Sequence, residues 1–173
     1  MKRPRTTRAA DLRKAFDRAF AEPPPHGDEE SADYLGIRVG GGAYAVALSE
    51  IGAVFADKRI APLPSGASEL LGVAGVRGET VPVFSLGALL SQSGGDDRPR
   101  WLVLARGGRA GFAFDALDGH LRIPLASIIP AASPKGFVVA NAVMGKDARS
   151  IMSIASLVEH LERRAGRSAA KEQ

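Results

Sequence analysis

Two rhythms of apolar and polar positions run along the chain, and one gives way to the other near residue 33. Between residues 9 and 21 large apolar residues recur every fourth position, at Leu12, Phe16 and Phe20, with Ala15 and Ala19 on the same face. This spacing predicts an amphipathic helix. Pro23-Pro24-Pro25 ends it, because proline cannot continue the backbone ladder. Residues 22–33 are acidic and Pro-rich and read as a linker, so residues 1–33 form an N-terminal extension. A helix this short is marginal alone in water. Its apolar face is expected to rest loosely on the body, with a docking role toward a partner as the alternative.

From Tyr34 onward the period is two. Leu35, Ile37 and Val39 share one face, Gly40-Gly41-Gly42 reverses the chain, and Tyr44, Val46 and Leu48 alternate with Ala43, Ala45 and Ala47. That is a hairpin with one face of small residues. Further strands are predicted at 51–56, 70–76, 79–86, 101–105, 110–116, 121–123, 137–143 and 150–154. Residues 60–64 hold Pro62 and Pro64 and must be an edge or a loop, and Pro82 inside 79–86 implies an edge position or a bulge. Residues 87–90 suit one helical turn and 156–164 a closing helix. Asp118-Gly119 is a hairpin-turn signal. A polar stretch at 91–99 splits the body. Tyr34-Leu35, Gly40-Gly41 and Ala43 are echoed at one constant offset by Trp101-Leu102, Gly107-Gly108 and Ala110, which points to two similar β subdomains.

Composition narrows the chemistry. Cysteine is absent, which removes disulfides, thiolate metal sites and cysteine nucleophiles. No apolar run reaches the ~20 residues a membrane span needs, and the charged N-terminus lacks the apolar region of a signal peptide, so a cytoplasmic location is expected. Net charge is +4, but it is concentrated. Residues 1–21 carry +5 and residues 22–33 carry −5, leaving a nearly balanced body without a basic stripe interleaved with aromatics. A small β-barrel nucleic-acid binder using the basic N-terminus is therefore the alternative rather than the leading reading. His26, His120 and His160 show no metal-ligand spacing. Gly145-Lys146-Asp147 lacks a phosphate-cradling loop, and no nucleophile elbow is present. Asp115 and Asp118 are the one carboxylate pair that could do acid–base or metal work, but a strand end and a turn cap explain them without chemistry. No catalytic residue, cofactor or metal is expected.

Leu71 to Leu86 reads L-G-V-A-G-V-R-G-E-T-V-P-V-F-S-L. It resembles the R-G-x-x-x-P-V signature of the bacterial chemotaxis coupling family, the CheW-like domain. Gly72, Val73, Val76, Arg77, Gly78, Pro82, Val83 and Leu86 match. Tyr34 to Val46 resembles the family's opening hairpin, Ile60 to Pro64 its I-T-P-L-P stretch, and Gly111 to Asp115 its G-L-x-V-D strand. The likeness runs from 34 to 161 in the family's order. It departs in three places. Ala74-Gly75-Val76 stands where the family carries Asn before its Leu-Arg-Gly. Ser85 replaces an Asp, and Ala53 falls where a Glu is common.

The resemblance implies a mainly β domain at 34–161 of two packed SH3-like five-stranded barrels. Subdomains are expected at about 34–90 and 100–155, interleaved at the termini, with a short C-terminal helix and a flexible tail from 162 to 173. It implies a non-catalytic adaptor that couples chemoreceptor tips to the regulatory domain of a CheA-type histidine kinase, recruited to receptor arrays. The residues expected to meet a partner are Arg77, Gly78, Phe84, Ile51, Val54 and Leu86. Arg77 follows a buried run at a turn, where its five donors suit a carboxylate or backbone carbonyls. Val83, Phe112 and Phe114 are expected in the core.

Overall fold

Most strands form where the period of two predicts them, β9 and the first half of β8 being the additions, and the way they sort into sheets is set by which chain segments cross over. The computed structural model describes residues 30–92, 99–131, 137–145 and 147–169. The helix expected at 9–21 and the linker up to residue 29 lie outside the described residues. The elements are β1 (Ser31–Val39), β2 (Gly42–Ala47), a 3-10 turn Leu48–Glu50, β3 (Ile51–Ala56), β4 (Leu70–Val76), β5 (Glu79–Ser85) and α1 (Leu86–Leu89). There follow β6 (Trp101–Ala105), β7 (Gly111–Phe114), β8 (Ala116–Pro124), a 3-10 turn Leu125–Ser127, β9 (Ile128–Pro130), β10 (Val138–Met144), β11 (Asp147–Met152) and α2 (Ile154–Ala169).

One sheet has six strands in the order β8-β1-β2-β11-β10-β9, and the other five in the order β3-β6-β7-β5-β4. Each is built on a central hairpin, β1–β2 or β6–β7, with an antiparallel neighbour on one side and a parallel neighbour on the other. The echo between Tyr34-Leu35 and Trp101-Leu102 thus marks two strands at equivalent places. In each sheet the chain leaving one edge strand runs on to pair with the opposite edge. β8 continues through Leu125–Ser127 into β9, which pairs with β10, and the chain after β3 brings Ala61 against Val73 of β4.

The chain does not divide between the sheets at residues 91–99. β2 leads into β3 of the other sheet, and β7 leads into β8 of the first, so 31–47 and 116–152 build one sheet and 51–85 with 101–114 build the other. Ser31–Asp33, expected in the linker, pairs with Pro124, Ile123 and Arg122 and so belongs to β1. Asp118-Gly119 is a bulge inside β8 and not a hairpin turn. The strand pairs with β1 on both sides of it, and the register slips by one residue at Asp118. Pro82 stands in an interior strand. Its partner across β4 is Val73, whose N–H and C=O bond Ala61, so this pair exchanges no bonds. Its missing N–H therefore faces β7, where pairing begins only at Val83. The closing helix takes in residues 162–169, which were expected to be a flexible tail.

Alternation sends side chains into three apolar regions. Leu35, Ile37 and Val39 of β1, Tyr44 and Val46 of β2, and Val103, Phe112 and Phe114 of β6–β7 form the core shared by the two sheets, closed by Leu86, Ile154 and Leu157. The opposite faces line each sheet's own interior. Tyr34, Ala45, Ala142, Ile123 and Ile151 fill one, and Ala74, Val83, Leu102 and Ala113 fill the other. Val83, Phe112 and Phe114 are buried as the alternation requires. Gly72 is fixed by closure of the second sheet. It has φ +144°, and a Cβ there would stand 2.0 Å from the carbonyl oxygen of Ala61.

Candidate functional site

Arg77 and Gly78 are the two central residues of the turn joining β4 to β5, between paired Val76 and Glu79. Their φ angles are +53° and +84°. Two successive positive values define the tight hairpin turn whose twist matches that of the strands, normally made with Asn-Gly or Gly-Gly. Arginine in the left-handed region costs about 1–2 kcal/mol from crowding of its Cβ. The side chain is exposed, and among the described residues it makes no hydrogen bond or ion pair. The β4–β5 pairing holds the turn in this conformation, and no side-chain contact of Arg77 among the described residues adds to it.

A groove opens beside this turn. Buried Val76, Val81 and Leu104 lie beneath it, and Arg77, Glu79, Gly52 and the Gly107–Gly108 turn rim it. The rim is braced from below. Arg106 donates its backbone N–H to the Glu50 carbonyl (2.8 Å) and its Nη1 to the Ser49 carbonyl (2.7 Å). The Glu50 carboxylate turns the other way and caps α2, accepting from the N–H groups of Ile154 (2.5 Å) and Ala155 (3.3 Å) and from the Ser153 hydroxyl (3.2 Å). Such a cap satisfies donors the helix leaves unpaired. One residue thus ties the crossover after β2, the β6–β7 turn and the closing helix together.

The six residues expected to meet a partner do not converge. Arg77 and Gly78 are exposed at the corner. Ile51 pairs with Ala105 close to the groove, yet its side chain and that of Val54 are half-buried against the shared core. Phe84 sits at the other end of β5, roughly 20 Å away at 3.3 Å per residue, half-buried with its ring 6.2 Å from that of Phe112. Leu86 is 0% exposed and cannot touch a partner. Leu86 lies in the shared core that the Phe84 ring also packs against, so this face of the chain is turned inward and not toward a partner.

The departures from the family pattern acquire physical meaning here. Ser85 accepts from the N–H of Ala88 (3.2 Å) and caps α1, the service an Asp at that place would perform. Ala53, placed by the resemblance where a Glu is common, lies within β3, and the 3-10 turn just before that strand carries Glu50. Asp115 and Asp118 are both engaged. Asp115 Oδ2 accepts from the Gly40 N–H at 2.7 Å. Asp118 accepts from Arg38 Nε at 2.9 Å and Arg149 Nη1 at 2.7 Å. Burial alone would raise the Asp118 pKa, but the hydrogen bonds and charges of Arg149 and Arg38 together outweigh it and hold the carboxyl below its usual value. Neither this cluster nor the Glu50 cap was anticipated from the sequence, because the partners lie far apart along the chain. Among the described residues no group of three metal-ligating side chains gathers, and no helix is long and apolar enough to cross a membrane.

Fold and corner together describe a mainly β domain of two sheets with few helices, presenting a strained, exposed arginine turn. The family model of the CheW-like domain matches residues 33–162, and the chain belongs to that family. Among solved structures it is similar to the scaffolding protein TtCheW from Thermoanaerobacter tengcongensis, at 19% identity and a TM-score of 0.65, covering 71% of this chain and 89% of that one. No curated protein matches.

Proposed function

We propose that this protein is a non-catalytic adaptor of a chemotaxis-like signalling system, joining the cytoplasmic tip of a chemoreceptor to the regulatory domain of a CheA-type histidine kinase. In this reading it works in the cytoplasm, recruited to receptor arrays. The two sheets act as SH3-like barrels that hold the docking surfaces in fixed relation. Membership of the CheW-like family and the edge-to-edge closure of each sheet support this reading.

The observation that carries it is Arg77. An arginine kept at φ +53°, exposed and without a partner among the described residues, is free to meet a carboxylate or backbone carbonyls of another protein. Gly78 keeps the turn, and Val76, Val81 and Leu104 pack beneath the corner. Co-purification of the full chain with kinase and receptor fragments tests this. Arg77→Ala is expected to weaken capture of at least one partner while stability stays within about 0.5 kcal/mol of the parent. Undiminished capture by the variant would remove Arg77 from the interface.

A further inference from the structure

We propose that the open edge of β4 at Gly75 accepts an extended, acidic segment of a partner protein as an added strand. This goes beyond the adaptor reading, since it concerns a sheet edge and not the arginine turn. β4 is an edge strand of its sheet. Val73 donates to and accepts from Ala61 at 2.9 and 2.8 Å, so its N–H and C=O point away from β5. Alternation along the strand sends the N–H and C=O of Gly75 the same way. If the chain of Ala61 continued the pairing, Arg59 would lie opposite Gly75, but Ala61–Val73 is an isolated bridge. Among the described residues no backbone group pairs with Gly75 on that side, and no atom lies within 4 Å of where its Cβ would be.

What separates the two segments is a slot whose lining includes Asp57, Lys58, Arg59, Val73, Gly75 and Thr80. An unpaired strand edge calls for an extended chain, since a helix has no backbone groups to offer along its length. The charge selects its composition. Asp57 is already held by Arg100 at 3.2 Å, and among the described residues Lys58 and Arg59 have no acidic partner, so they set the charge of the slot. Lys58 rests its ammonium 5.3 Å from the Phe55 ring, which holds it near the slot's wall. Few backbone bonds are on offer, so the two cations must contribute much of the affinity, and binding should weaken with salt.

The test is a titration of the full chain with a short peptide of alternating Glu and Val, followed by amide resonances and hydrogen exchange, with a peptide of alternating Lys and Val for comparison. The acidic peptide is expected to bind, slow exchange at the Gly75 amide and lose affinity as salt rises. The basic peptide is expected not to bind. Lys58→Glu with Arg59→Glu should weaken binding about tenfold or more. Gly75→Pro removes only the outward N–H, leaving the β4–β5 bonds intact, and should weaken binding while the chain stays folded. No binding of the acidic peptide, equal binding of both peptides, or binding that leaves Gly75 exchange unaltered would each overturn the proposal. Should Gly75→Pro fail to fold, the exchange measurement on the parent chain decides.

Discussion

Where the first sheet closes, β9 pairs with three residues of β10, whereas in the second a single residue, Ala61, bridges β4. The hairpins carrying these seams otherwise correspond, down to a register shift at Leu70/Gly72 in one and Val138/Ala140 in the other. The first seam tolerates a methyl group at Ala140, while the second brings a carbonyl so close to Gly72 that none fits. Their interiors differ as well. That of the second sheet is apolar, with Val76, Val81 and Leu104 beside Val83 and Leu102. In the first, Arg38 and Arg149 share the inner face with Tyr34 and Ile151 and meet at Asp118. One sheet is therefore sealed by pairing and charge. The other is sealed by shape at one tight point, and both its turn and its edge stay open.

The largest expected effect breaks the second seam alone. Gly72→Ala must displace the Ala61 carbonyl and adopt a φ hostile to L residues, for a loss of about 3 kcal/mol by chemical denaturation. A loss below about 1 kcal/mol would mean that the single bridge matters little.

A middle effect probes the first sheet. Asp118→Asn leaves Arg149, whose side chain is only 13% exposed, without its carboxylate, and should cost about 1–3 kcal/mol at neutral pH. Because the folded-state pKa of Asp118 is depressed, its stabilisation is present above the unfolded value near 4 and is lost as pH falls through the folded value. The gap in stability between parent and variant should shrink in that acid range, and a gap independent of pH would assign the loss to packing.

The smallest effect has the opposite sign. Arg77→Gly relieves the left-handed strain and should stabilise the fold by about 1 kcal/mol while reducing capture of partners. A thermal midpoint that fails to rise would show that the turn is not strained.

Much of this was legible along the chain. Hairpins were readable because alternating side chains and glycine-bearing turns leave a local record, as at Tyr34 to Val46 around Gly40-Gly41-Gly42 and at Arg77-Gly78. Asp118-Gly119 misled because the same dipeptide serves a tight turn and a bulge, and only the pairing partner tells them apart. The crossing of β3 and β8 into the opposite sheets left no local trace, since it depends on pairings made far along the sequence. At the site, exposure of Arg77 followed from its place in a turn. Leu86 was misjudged because alternation shows that it shares a face with Phe84 but not which way that face turns, and the shared core covers it. The caps and ion pairs of Glu50 and Arg149 join elements that only folding brings together.

The exchange of strands has a consequence for how the molecule comes apart. Neither hairpin owns the strand that flanks it, so each half supplies a piece the other requires and neither can persist by itself. Loss of order on one side must unravel its neighbour, and the whole is expected to melt as a unit. A fold of this kind is either whole or gone, with no half-assembled form in which one sheet survives alone.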